Sequence, residues 1–308
     1  MKVRRILAAA LALLALCGAS FFATARLAAQ AIQKQLYVSV VDQNGAPVPD
    51  LGTSDIVVRE DSVAREVLRV AAAEEPMQIA VLVDTSQTAR NDISHIRQAL
   101  PPLVEALTRP NEAGRKNEVA IIGFGERPTV IADYSSDPAA LKKGIDRLWS
   151  LDGAGAYFLD AIVEVVQGFK KREAQRPVIV AIVIEGRELS YRMYDQVLDP
   201  LRSSGAPLYA VMIGQPVNGL SDETRSRNIV VDRGPTASGG AREQLLTSMA
   251  LAGKLKQLAD QLTHQYVVTY ARPQTLIPPE RVTVGTTKPA LVARGTPVRD
   301  QKSESKRP

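Results

Sequence analysis

The sequence predicts an α/β protein built on a doubly wound, mostly parallel sheet with a small flanking β module. Three observations carry this. Gln78-Ile79-Ala80-Val81-Leu82-Val83 is a nearly continuous apolar run that ends in Asp84-Thr85-Ser86-Gln87-Thr88, the pattern of a strand covered on both faces. From Met77 to about Arg272, apolar runs alternate with segments of helical apolar spacing, the alternation that places helices on both faces of one sheet. Ahead of it, residues 36–73 read as β alone.

The β stretch opens with Leu36-Tyr37-Val38-Ser39-Val40-Val41, and Asp42-Gln43-Asn44-Gly45 supplies turn chemistry. Ile56-Val57-Val58 and Val67-Leu68-Arg69-Val70 add two strands across Glu60-Asp61-Ser62. So few short strands do not stand alone. The module at 36–75 must pack on the next unit or borrow strands, and the candidates at 281–284 and 290–294 would complete it from 279–296.

The α/β unit spans 77–272. Residues 89–107 carry helical spacing at Ile93, Ile96, Leu100 and Leu103, with Pro101-Pro102 expected to kink or restart the helix. Val119-Ala120-Ile121-Ile122-Gly123-Phe124 is a strand and Thr129-Val130-Ile131-Ala132 its hairpin partner. Helices follow at 139–149 and 156–169, the second turning Ile162, Val165 and Val166 inward. The run 178–184 is the clearest buried strand, followed by a helix at 194–201 and a strand at 208–213. Residues 217–241 are polar and rich in Gly, Ser, Asp and Arg, which reads as a long loop. A helix at 244–262 and a strand at 266–270 close the unit, and 297–308 reads as a disordered charged tail.

Composition narrows the class. At 308 residues, with 45% hydrophobic and 23% charged residues, the chain is an ordinary globular one. A net charge of +5 with 5% aromatics and no basic-aromatic interleaving argues against nucleic acid as a partner. Lys2, Arg4 and Arg5 precede an apolar run at 6–22, and Ala23-Thr24-Ala25 and Ala29-Gln30-Ala31 both fit a cleavage site. Residues 1–31 therefore read as a signal peptide, with an uncleaved anchor as the rival reading. The run is short for a spanning helix, so the mature chain is expected to have no membrane span and to be periplasmic or secreted. Cys17, the only cysteine, lies in that segment, and Leu16 occupies the position where lipid attachment wants a small residue.

Asp84, Ser86 and Thr88 place three oxygen donors at the carboxyl end of a strand, where open α/β sheets bind ligands, and so form a plausible cation site. The alternative is that they turn the chain and cap the next helix. Catalytic chemistry is absent. There are two histidines, His95 and His264, no G-x-S-x-G, no Walker sequence, and Gly123-Phe124-Gly125 lacks the third glycine of a dinucleotide loop. Asp160 reads as a helix cap or a support for the site, and Trp149 as core or rim packing. An enzyme is not expected.

Three segments together resemble a von Willebrand factor type A (vWA) domain, and more closely the bacterial VWFA-related secreted proteins. They are the strand 79–83 running into Asp84-x-Ser86-x-Thr88, the element Val40-Val41-Asp42-Gln43-Asn44-Gly45-Ala46-Pro47-Val48 with 55–61, and the closing stretch 258–270. The resemblance covers 36–294 and implies a Rossmann-like fold with a metal-ion-dependent adhesion motif. It implies that Asp84, Ser86 and Thr88 are completed by a Thr from a second loop and an Asp after a later strand. Here Ala156 stands where the Thr is expected, and Glu185-Gly186 where the family has Asp-Gly. The implied metal set is therefore Asp84, Ser86, Thr88 and Glu185 around Mg²⁺ or Mn²⁺, with water able to replace the lost hydroxyl. The alternative is a degenerate site in which Asp84 is a hydrogen-bonded carboxylate. The function implied is that of an exported, non-enzymatic, adhesion-type protein that accepts an acidic side chain from a protein partner. A metal-independent scaffold of the cell envelope is the alternative, and a hydrolase a weaker one.

Overall fold

The computed structural model describes residues 31–215, 221–274 and 277–298. The expected signal peptide, apart from Ala31, lies outside the described residues, as do 299–308 of the expected tail. Thirteen strands appear among the described residues. In chain order they are β1 (Ala31–Val41), β2 (Ile56–Glu60), β3 (Val63–Arg65), β4 (Val67–Ala72), β5 (Gln78–Val83), β6 (Glu118–Gly123), β7 (Thr129–Ser135), β8 (Pro177–Ile184), β9 (Leu208–Ile213), β10 (Ala241–Leu245), β11 (Tyr266–Pro273), β12 (Val282–Thr286) and β13 (Val292–Pro297). The helices are α1 (Ile93–Thr108), α2 (Pro138–Ile145), α3 (Phe158–Lys171), α4 (Asp195–Ser204), α5 (Asp222–Ser238) and α6 (Leu251–Thr263).

The central sheet has the order β10-β9-β8-β5-β6-β7, parallel throughout except for β7. The apolar runs work as the two-residue period of a strand demands. On β5, Ile79, Val81 and Val83 face a core shared with α1, α2 and α6, while Ala80 and Leu82 face one shared with α3, α4 and α5. Val178, Val180 and Ile182 of β8 divide from Ile179, Ala181 and Val183 in the same way. Both faces are therefore covered, and all the parallel strands direct their carboxyl ends to one edge.

The other strands form a four-stranded antiparallel sheet, β13-β1-β11-β4, and a three-stranded one, β12-β2-β3. They share a core of Leu36, Val38, Val40, Leu51, Ile56, Val58, Val268 and Tyr270. Segments early and late in the described chain contribute, since β13 pairs with β1 and β12 with β2. The strand expected to close the α/β unit, β11, instead lies between β1 and β4.

Three local expectations are corrected. The stretch expected to be a loop contains α5, which starts at the N-cap Ser221, whose side chain accepts from Thr224 N–H at 3.3 Å, and ends at Gly239 with φ 85°. The single helix expected over 244–262 is divided: residues 241–245 pair in parallel with β9 as β10, and α6 begins at Leu251. Pro101 and Pro102 do not break α1, which runs on through both. The carbonyls they orphan belong to Arg97 and Gln98, which are exposed and can be hydrated.

A buried guanidinium joins the antiparallel sheet to the central one. Arg176, just before β8, donates to the carbonyls of Glu75 at 2.7 Å and Ala73 at 3.4 Å and to Gln265 Oε1 at 2.6 Å. Its plane sits 4.5 Å from the centre of the Tyr37 ring. Burial pulls Arg176 down to about 10, so it remains charged at neutral pH. Replacing it by Ala leaves buried acceptors unmet, and the expected loss is about 3 kcal/mol of stability by urea unfolding. A loss within the range of an ordinary surface substitution, about 0.5 kcal/mol, would remove Arg176 from this role.

Candidate functional site at the carboxyl edge of the sheet

β5 ends at Val83, and the next residue is pinned at once. Asp84 donates its N–H to the Ile182 carbonyl at 3.0 Å, so its side chain enters the edge between β5 and β8. It is wholly buried. Oδ1 accepts from Ser86 N–H at 2.9 Å and Oδ2 from Ile184 N–H at 3.1 Å. Burial raises its pKa, opposed by these bonds and by the charge of Arg227. Ser86 Oγ and Thr88 Oγ1 lie 2.7 Å apart, with Thr88 exposed. The pattern Asp-x-Ser-x-Thr thus brings its three side chains together.

The other two positions behave differently. Ala156 is buried in a loop stitched to the β8–α4 connection, donating to the Arg187 carbonyl at 3.1 Å and accepting from Leu189 N–H at 2.7 Å. It brings no side-chain oxygen. Glu185 accepts from Arg227 Nη2 at 2.7 Å. Arg227 comes from α5, is fully buried, and also donates to the Gly186 carbonyl at 2.9 Å and to Asn228 Oδ1. Gly186 is needed for the close approach, since a Cβ there would lie 2.7 Å from Thr88 Cγ2. A resident cation wants several converging oxygens. Here one expected donor is a methyl group, one carboxylate is engaged by a guanidinium, and both oxygens of the other accept backbone N–H groups. The residues present do not fit such an ion. Among the described residues no group of three His, Cys, Asp or Glu side chains converges as metal ligands do.

The model of the von Willebrand factor type A domain matches residues 78–231, half of the chain. The protein is a member of that family. Its solved neighbours include the von Willebrand factor type A protein from Catenulispora acidiphila, 12% identical with a TM-score of 0.49 over 88% of this chain and 67% of that one. Proximal thread matrix protein 1 from the mussel byssus, solved with a zinc-occupied MIDAS motif, is 16% identical with a TM-score of 0.49, covering 67% of this chain and 50% of its own. BatB from Bacteroides thetaiotaomicron is 14% identical with a TM-score of 0.44, over 61% of this chain and 99% of that one. The chain spans about half the length of the mussel protein. No curated protein matches.

Around the vWA motif the structure gathers residues that motif reading missed. Glu188 Oε1 accepts from Leu159 N–H at 3.4 Å and Ser190 N–H at 3.3 Å, and Ser190 Oγ accepts from Asp160 N–H at 3.1 Å. The two side chains cap the first turn of α3 in place of the expected Asp160, whose carboxylate pairs with Arg192. The only sequence signal was a polar Glu-x-Ser set soon after a buried strand. Arg227 gave no signal, since one arginine in a polar stretch reads as solvated. Of the two histidines, His95 Nδ1 meets Ser248 Oγ at 3.1 Å and His264 bonds to the Asp260 carbonyl at 2.7 Å. Among the described residues no carboxylate holds the far nitrogen of His95.

Glu188 Oε2 has no hydrogen-bond partner, and burial pushes the carboxyl from 4.5 up to about 7. A raised acid holds its proton more tightly folded than unfolded. Its stabilising contribution is therefore complete below about 4.5 and lost as pH rises through about 7. Glu188→Gln is expected to remove this part of the decline between roughly pH 5 and pH 8, read as unfolding midpoints in urea across that range. Parallel curves for wild type and variant would show that Glu188 does not titrate there.

Proposed function

We propose that the protein is an exported, non-enzymatic interaction module whose vWA domain docks a protein partner at the carboxyl edge of its central sheet. The supporting observation is the make-up of the loops at that edge. They expose Tyr191 (93%), Met249 (75%), Leu246 (72%) and Trp149 (61%), large apolar side chains that a solvated rim would not require. Beside the motif, Arg187 is exposed, and its charge reaches Glu223 without a close ion pair among the described residues. It offers an acidic side chain of the partner a direct counter-charge. The family generally supplies interaction modules, which agrees with the lack of a catalytic constellation. Export rests on the signal-like residues 1–31, with the periplasm or the exterior as destination. Among the described residues no helix is long and apolar enough to cross a membrane. The VWFA-related secreted proteins are the subgroup this reading selects. Within it, the central sheet with its helices, 77–263, is the docking domain, and the antiparallel sheets that β11 joins are its support.

A second reading has one observation in its favour. The Ser86 and Thr88 hydroxyls meet at 2.7 Å beside Asp84, the part of a Mg²⁺ or Mn²⁺ ligand set that this chain keeps. Glu185 would have to leave Arg227 to join them.

A photoreactive residue at position 191, with one at Lys171 near the opposite edge as control, tests the docking face in producing cells. A discrete adduct from position 191 alone, lost on Arg187→Glu or Leu246→Asp, is expected. Equal labelling from both positions, or none, would remove the docking reading. Export is checked separately by N-terminal sequencing, with Arg26 or Ile32 expected as the first residue; a chain still beginning at Met1 would count against cleavage.

A further inference from the structure

We infer that Arg227 is a built-in cation that takes the place of the metal at this motif, so that the edge is organised without a divalent ion. The inference deepens the reading above and rests on it only for the choice of face. Arg227 bonds to Glu185 at 2.7 Å and to the Gly186 carbonyl at 2.9 Å, and its charge acts on Asp84 and on Glu188. The guanidinium is thus bonded to Glu185, the residue after β8, and acts by charge alone on Asp84, the residue after β5, and on Glu188 in the loop beyond. It is fully buried and comes from the second turn of α5, so it is fixed by the packing of that helix.

The chemistry separates this arrangement from a metal site. A guanidinium keeps its charge at any physiological pH and donates in a planar fork. It therefore supplies a permanent positive charge at the place where an ion would bring an exchangeable one. A divalent cation arriving at Asp84, Ser86 and Thr88 would be repelled by that charge, which already acts on Asp84. It would also have to win Glu185 from its partner, leaving a buried arginine unpaired. The longer side chain at 185 allows the direct bond to α5. At Ala156, a methyl group suffices because no ion has to be held there.

The test is thermal unfolding of the purified protein in EDTA and in millimolar Mg²⁺ or Mn²⁺, the ions themselves being the probe. Wild type is expected to unfold at one temperature in all three. Arg227→Met, which keeps the length and removes the charge, is expected to unfold earlier in EDTA and to gain a rise of roughly 5 °C in saturating ion. Adding Asp84→Asn should abolish that rise. Ala156→Thr restores the expected hydroxyl and keeps Arg227; it should stay silent, and it decides the matter if Arg227→Met does not fold. An ion-dependent rise in wild type that Asp84→Asn abolishes would overturn the inference. So would a rise in Ala156→Thr, or a folded Arg227→Met that ignores both ions. None of these outcomes moves the cross-linking result at position 191, so the two readings fail independently.

Discussion

The buried pair between Glu185 and Arg227 is the contact on which the edge of this vWA domain depends. It joins the end of the central strand β8 to α5 across a region where most of the neighbouring polar atoms are satisfied by backbone. A charge taken out of water is costly unless matched, and a matched pair is more useful for geometry than for net stability. Here the geometry is the point. With Arg227 held by Glu185 and the Gly186 carbonyl, α5 is tied to the chain just beyond β8. The 185–190 loop, which carries Arg187 and Glu188, is held with it.

A second buried arginine does the corresponding task at the opposite end of β8. Arg176 gathers carbonyls from the β4–β5 connection, the Gln265 side chain and the Tyr37 ring, and so ties the antiparallel sheet to the parallel one. Within the small module Glu60 of β2 accepts from the Tyr270 hydroxyl of β11 and from Arg65 of β3, each at 2.9 Å. These three joins each use a buried charged group, and most of its partners come from elements distant in sequence. Hydrophobic burial assembles the layers, and these contacts fix how they sit.

Much of the central sheet was legible because its strands are covered on both faces and so read as unbroken apolar runs. β5, β6, β8 and β9 all announce themselves in this way, and Asp84-x-Ser86-x-Thr88 is read directly from the end of β5. What escaped was structure whose stabilising contacts are polar or lie far along the chain. α5 buries Thr224, Ser226, Arg227 and Ser238, residues that read as solvent-facing, so a 17-residue helix looked like a loop. β10 is an alternating edge strand, Ala-Arg-Glu-Gln-Leu, whose identity comes from pairing with β9 and from nothing local. β11 has a clear strand pattern, but its sheet is set by β1 and β4, more than a hundred and fifty positions away. The same blindness hid Arg227: the motif showed the carboxylates, but their counter-charge comes from a helix that could not be seen.

The departures from the vWA motif then read as one solution. Taken singly, Ala156 for the expected Thr is a lost ligand, Glu185 for Asp is a misplaced one, and a buried arginine is an expense with no return. Taken together they agree. A glutamate reaches Arg227 where an aspartate would be one methylene shorter, and its bond to the guanidinium neutralises both groups inside the protein. With the positive charge supplied by the chain, no hydroxyl is needed at 156, and that loop is free to close through its backbone onto Arg187 and Leu189. Gly186 lets Thr88 approach the same loop from the other side. Of the side chains expected to converge on an ion, Glu185 instead meets a helix, while Asp84 is held by backbone N–H groups and Ser86 and Thr88 by each other. On the proposed reading, a docking surface organised this way would need no ion to form, and its exposed apolar residues and Arg187 would choose the partner.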